Sequence, residues 1–221
     1  MSNSSLLDRY TAVDSAAVSD ALDQLGLPPG IGGFRPLWGP ASVVGFAVTV
    51  GLEPRADGPA GAHVATTAVE TSDSESVIVV DNQGRTDVSC WGGILSLGAT
   101  RRGARGVVAD GVCRDVAEAR ELGFPVFSRG AIPVTARGRL QQRSLGEPVE
   151  IAGLTVHQGD VVVADETGLA VVPRALAEEV AGIATAIVAR ERAIADEVRA
   201  GARLSRAMHD ARLAGAPEAA R

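Results

Sequence analysis

The sequence predicts an α/β fold on three observations. Short β-branched runs alternate with helix-like segments from about residue 42 to 127, glycine-punctuated strands follow, and a long amphipathic helix comes last. With 221 residues and 46% hydrophobic content, the chain can bury a sizeable core. It has only 4 Phe, 2 Trp and 1 Tyr, so that core is built from Val, Ile, Leu and Ala around tight glycine turns.

The first helix is predicted over about residues 14–25, where Val18, Leu22 and Leu25 repeat at helical spacing and Gly26, Pro28 and Pro29 stop it. Residues 42–50 (SVVGFAVTV) read as a strand, and the polar stretch Glu53 to Gly61 leads into a short helix over about 63–70. Strand, turn and helix then alternate: strand 77–80, helix 93–102, strand 106–109, helix 115–122 and strand 125–127. Short strands are expected at 132–135, 149–156 across Gly153, 161–164 and 169–172. From Pro173 the composition shifts to Ala, Glu and Arg, with Leu176, Val180, Ile183, Ile187 and Ile194 on one stripe. Such a helix carries a solvated charged face or packs on a neighbouring subunit. The tail after Arg203 is expected to fray.

Composition excludes several chemistries. All 21 basic residues are Arg. Without Lys there is no Schiff-base aldolase, pyridoxal phosphate enzyme or Walker A nucleotide site. The net charge of -6 and the scarcity of aromatic side chains argue against nucleic-acid binding. No apolar run approaches the roughly 20 residues that cross a bilayer, and the amino terminus has no basic region followed by an apolar stretch. The reading is a soluble cytoplasmic protein without a membrane partner. Cys90 and Cys113 are too few for a disulfide scaffold or a structural zinc site and read as small buried residues. The three His lie far apart, so any metal is held by oxygen, favouring Mg²⁺ or Mn²⁺.

Three predicted strands end in Asp: Asp81, Asp110 and Asp165. Each Asp either makes an ordinary turn or delivers a carboxylate to a shared crevice at the strand ends. Asp110 is the strongest candidate because Arg114 and Asp115 follow it. Gly92 and Gly93 precede a helix, where free N–H groups and the helix dipole can meet an anion, although such a pair also serves as plain connection. Asp115 is either the cap of the following helix or a cation ligand beside the Arg114 fork. In the second case one dipeptide grips both parts of a 2-oxo acid.

These residues carry a resemblance. The segment from Val79 to Gly130, with GG-x-L, then DG-x-x-RD starting fifteen residues after Leu95, then LGFPVF-x-RG, resembles the signature region of the RraA-like family. That family includes the 4-hydroxy-4-methyl-2-oxoglutarate/4-carboxy-4-hydroxy-2-oxoadipate aldolases. Weaker similarity runs from VSDALDQLG to GDVVVADETGLAVVP, roughly residues 6–200. The resemblance implies one domain over 1–221 with an αββα sandwich core at about 6–172 and a carboxy-terminal helix at about 173–200. It also implies a divalent-metal pyruvate aldolase assembled as a homotrimer or a dimer of trimers. Backbone amides of Gly92, Gly93, Ile94 and Leu95 with Arg114 would bind the pyruvyl carboxylate, and Asp115 the metal. Glu191, from a neighbour's last helix, would hold a metal-bound water. Some characterised aldolases have an acidic residue where this chain has Gly93, which leaves open the base that activates water. A metal-bound hydroxide would take the C4 hydroxyl proton, with Asp110 or Glu191 orienting it.

The implied reaction breaks C3–C4 of a 4-hydroxy-2-oxo acid, leaving a pyruvate enolate that a cation stabilises. Oxaloacetate decarboxylation passes through the same enolate. Two other readings remain: a non-catalytic regulator of an RNA-processing enzyme, since the family is named for an inhibitor of ribonuclease E, and a different lyase or hydratase acting on a 2-oxo acid. A methyltransferase is set aside because no glycine-rich adenosyl loop with an acidic ribose ligand is present.

Overall fold

The structure is a computed structural model that describes residues 3–39, 41–57 and 63–209. Its helices are α1 (Asn3–Thr11), α2 (Ser15–Gln24), α3 (Thr66–Thr71), α4 (Gly93–Arg102), α5 (Val116–Glu121), α6 (Ala177–Arg199) and α7 (Leu204–Ala207). The first strands are β1 (Arg35–Pro36), β2 (Val43–Pro54), β3 (Ser76–Ser89), β4 (Gly106–Val112) and β5 (Val126–Ser128). Then come β6 (Leu140–Leu145), β7 (Val149–Ile151), β8 (Leu154–Val156), β9 (Val161–Ala164) and β10 (Leu169–Val172).

The main sheet runs β1-β5-β4-β3-β2-β9-β10, with β6 also on β2. Strands β2 to β5 are parallel because α3, α4 and α5 carry the chain back between them. The remaining pairings are antiparallel. Alternation along the strands sorts their side chains onto two faces. On the outer face, Val48, Val50, Ile78, Val80, Val107 and Ala109 pack under α3, α4 and α5. Val44, Val161, Val163, Ala170 and Val172 share that outer face at the other end and pack under α1, α2 and α6. Inner-face residues from both halves, Val77, Val79 and Val108 with Val162, Ala164 and Val171, meet in one cluster with the β7–β8 hairpin. The sheet therefore curls on itself with helices outside both halves, the expected αββα sandwich. Each fully buried Val or Leu in these layers contributes roughly 1.5–3 kcal/mol.

Helix α2 starts where Asp14 caps it, its carboxylate accepting from Ala17 N–H at 2.8 Å. The stripe of α6 is spent within the chain: Val180, Ile183 and Ile187 pack with Leu7, Tyr10, Val18 and Leu22. The expected helix at 63–70 begins only at Thr66, after Ala65 in a left-handed conformation. No strand forms at 132–135 beyond one bridge between Ala131 and Cys113, since Pro133 has no N–H to give a ladder. Strands β3 and β4 outrun their expected ends, so Asp81 and Asp110 lie within strands. The segment β6 went unpredicted because its LQQRSL sequence is polar; it pairs across a bulge with the far half of β2. Residues 58–62 of the polar stretch, and 210–221 of the tail expected to fray, lie outside the described residues. Among the described residues, no helix is long and apolar enough to cross a membrane.

Candidate active site

Parallel strands β3 and β4 end side by side, and each leads through a short loop into its helix. Carboxyl ends of adjacent parallel strands are where open α/β sheets hold ligands. Two backbone bonds lock the loops together: Cys90 N–H donates to Val112 O (2.9 Å) and Arg114 N–H to Trp91 O (3.0 Å). Trp91 stacks on Phe124 with ring centroids 6.2 Å apart, and its indole N–H donates to Ser96 Oγ at 2.9 Å. The glycine loop is thus anchored from below before any ligand arrives.

Asp115 occupies the position before α5 with φ 58° and ψ 43°, yet its side chain does not cap α5. Instead Oδ2 accepts from Gly93 N–H across the loop and from Arg114 Nε, both at 3.0 Å. A left-handed backbone costs an L-residue about 1–2 kcal/mol, less for Asp or Asn. Backbone strain of this kind clusters at active sites, ligand clamps and switch regions. Gly92 follows from the same crowding: a Cβ there would lie 2.7 Å from Asp115 Oδ2 and 3.3 Å from Arg114 Nε.

A crevice of about 290 Å³ opens at this corner. Gly92, Gly93, Ile94, Leu95, Arg114 and Asp115 line it together with His63, Thr66, Thr135 and Arg137. In the first turn of α4, the N–H groups of Ile94 and Leu95 have no carbonyl one turn back. The side chain of Ile94 is 84% exposed, while that of Leu95 turns into the core beneath the helix. Desolvation, then the charges of Arg137 and Arg114, hold the His63 imidazole below its ordinary pKa. Two guanidiniums at one crevice suit an anionic ligand. Cys90 also borders the crevice, but contact with the Cys113 thiol and burial push its thiol well above the usual range. It is a packing group, not a nucleophile.

The other sequence-derived candidates are not brought here. Asp110 follows Val108 on the inner face, 3% exposed, and accepts from Arg129 Nε and from Ala152 N–H (2.8 Å). It borders a different depression with Asp81, which pairs with Arg143 at 2.9 Å. Asp165 receives the N–H and hydroxyl of Ser15 and fastens the start of α2. Glu191 is exposed on α6, in the opposite outer layer from the crevice of its own chain. One residue went unnoticed in the sequence: Glu118, whose carboxylate lies over Gly93. Its spacing of three from Asp115 was the available signal. Among the described residues, no group of three or more His, Cys, Asp or Glu could hold a metal.

The RraA-like family profile (Aldolase/RraA) matches residues 15–171. The protein DlpA of Legionella pneumophila is 32% identical over 205 residues, covering 93% of this chain and 33% of DlpA. The chain thus spans only a third of that relative's length. A Halalkalibacterium halodurans protein provisionally named 4-hydroxy-4-methyl-2-oxoglutarate aldolase is 30% identical over 88% of this chain and 90% of its own. Among solved structures, an uncharacterised protein from Pseudomonas syringae is similar with TM-score 0.84 and 35% identity over 93% of this chain and 98% of that one. Streptomyces coelicolor RraAS2, described as an unusual member of the RNase ES inhibitor RraA protein family, gives 0.76 and 28% over 90% and 96%.

Proposed function

The chain belongs to the RraA-like family, and from that premise we propose that it is a divalent-metal-dependent lyase cleaving a 4-hydroxy-2-oxo acid to pyruvate and a carbonyl product. The aldolase name of the Halalkalibacterium relative supports the reaction class. The observation that carries the reading is Asp115: a carboxylate held in a left-handed turn, turned away from its own helix α5, shared by the glycine-loop N–H and Arg114 beside an anion-suited crevice.

The donor set fits a hard cation. With no three-ligand cluster among the described residues, Asp115 would be the one protein ligand, and a Mg²⁺ or Mn²⁺ ion that keeps several waters suits such a site. Bound there, the ion would supply polarisation of the 2-keto oxygen, the electron sink that a chain without Lys cannot provide as an iminium. Arg114 commits only Nε to Asp115. Its remaining N–H groups, with the Ile94 and Leu95 amides and the α4 dipole, bind and orient the pyruvyl carboxylate. Among the described residues, Arg137 donates its backbone N–H to Thr135 Oγ1 and its guanidinium to none, which leaves that group to meet the rest of an anionic substrate. The same arrangement supports oxaloacetate decarboxylation. Assembly as a homotrimer or dimer of trimers belongs to the proposal, because it would bring the exposed Glu191 of one subunit toward another's crevice.

The test is pyruvate release, coupled to a dehydrogenase, from a panel of 4-hydroxy-2-oxo acids and oxaloacetate. Activity should vanish with chelator and return with Mg²⁺ or Mn²⁺. Full turnover in exhaustively chelated, metal-analysed protein would end the mechanism. A second reading, a regulator acting through protein contact, is favoured by the exposed Ile94 and Leu97 beside the crevice and by the likeness to RraAS2. Absence of turnover on the whole panel together with absence of metal binding would select it.

A further inference from the structure

Glycine at position 93 leaves a space that a residue from another element fills. A Cβ built on Gly93 would fall 1.6 Å from Oε2 of Glu118 and 3.1 Å from its Cβ. The Glu118 carboxylate therefore stands against the glycine loop where a side chain of residue 93 would be. Asp115 and Glu118, three residues apart at the start of α5, reach the same loop residue. Asp115 meets its nitrogen and Glu118 the side of its α-carbon. Their engagements differ. Asp115 is held by Gly93 N–H and Arg114, whereas Glu118 is exposed and its carboxylate takes no hydrogen bond or ion pair from any described residue.

Resting on the lyase reading above, we infer that Glu118 is the general base of the cleavage, its carboxylate taking the place of a side chain missing from the glycine loop. The C4 hydroxyl proton passes to a Glu118 oxygen and the C4–O bond becomes the product carbonyl. The C3–C4 bond breaks, its electron pair stays on C3 as the pyruvate enolate, the enolate takes a proton from solvent at C3, and Glu118 releases its proton to solvent. A carboxylate suits this task better than His63 of the same crevice. An imidazole that gains a proton between Arg114 and Arg137 becomes a third positive charge, whereas Glu118 becomes neutral. Gly93 has an ordinary backbone conformation, so only space, not strain, bars a side chain there.

The experiment uses the fact that decarboxylation of oxaloacetate has no C4 hydroxyl proton to remove. Glu118→Gln is exposed and should keep the circular dichroism and melting temperature of the wild type. Its kcat for hydroxy-acid cleavage should fall about 100-fold. Oxaloacetate decarboxylation and calorimetric pyruvate affinity in the presence of Mg²⁺ should each stay within about threefold, since neither needs that base. Recovery of at least tenfold in cleavage when Gly93→Asp is added to Glu118→Ala, which removes the carboxylate and leaves only a Cβ 3.1 Å away, supports the location. Equal loss of both reactions, or cleavage within threefold of wild type, overturns the assignment. A wild-type protein that carries out neither reaction overturns the lyase reading itself, and that is seen before any variant is made.

Discussion

Asp115 can be tested by separating what its backbone costs from what its charge does. In Asp115→Ala, the left-handed conformation at φ 58° falls to a residue without a compensating polar side chain, a cost of about 1–2 kcal/mol. The bonds from Gly93 N–H and Arg114 Nε disappear as well. Because the Asp115 side chain is 28% exposed, solvent screens them and their loss adds about 1 kcal/mol. The sum, about 2–3 kcal/mol, lowers Tm by about 5–10 °C in a chain of this size. Asp115→Asn tolerates the same backbone and keeps an acceptor oxygen for Gly93 N–H, so its stability should change by less than about 1 kcal/mol. Cation affinity should behave differently. A unit negative charge in contact with a divalent ion contributes about 4 kcal/mol even at the dielectric constant of water, of which a neutral amide oxygen returns part. We expect Mn²⁺ binding by Asp115→Asn to weaken at least about 100-fold, with pyruvate release falling alongside. Urea denaturation and Mn²⁺ titration calorimetry on the three proteins measure both quantities. An Asn variant that binds Mn²⁺ like the wild type, or that is as unstable as the Ala variant, would refute the reasoning.

Other expectations follow from the same geometry. Arg114→Lys should keep the fold and raise the pyruvate dissociation constant at least about tenfold, because a point charge cannot replace a planar fork; calorimetry with pyruvate and Mg²⁺ checks it. His63 should titrate below its ordinary value of about 6.5 in an NMR pH series, and saturating pyruvate should raise its midpoint by bringing negative charge beside it. A depressed folded-state value means that the unfolded chain binds the proton first. The His63 contribution to stability is therefore complete above about pH 6.5, lost as pH falls toward the folded value, and small because the ring is exposed. Asp110→Asn should cost about 3 kcal/mol or more in denaturant titration by leaving Arg129 without its buried partner, while the folded fraction keeps its KM. A normally stable Asp110→Asn protein with an altered KM would return that residue to the site.

Local pattern accounts for much of what the sequence disclosed. The segments 93–102, 161–164 and 169–172 coincide with α4, β9 and β10, because apolar runs bounded by glycine and proline report directly on local backbone choice. The pairing of Gly92-Gly93 with Arg114-Asp115 came from the family resemblance, and its physical reason is that β3 and β4 are neighbouring parallel strands whose turns lie side by side. Tertiary structure decided the rest. Whether Asp115 caps α5 or faces Gly93 depends on one backbone dihedral set by the packed loops. Asp110 and Asp81 looked equivalent to crevice residues along the chain. Strand alternation, continued past the expected ends, sends both to the inner face, where Arg129 and Arg143 receive them. The polar β6 has no apolar signal of its own and exists as a strand because β2 offers an edge to pair with. Glu118 looked like any solvated helix carboxylate, and only the approach of α5 to the glycine loop gives it a place. Periodicity is written into consecutive residues, but the direction of a side chain at a turn and the neighbour it meets are properties of elements distant in sequence, which come together only when the sheet curls and its helices dock.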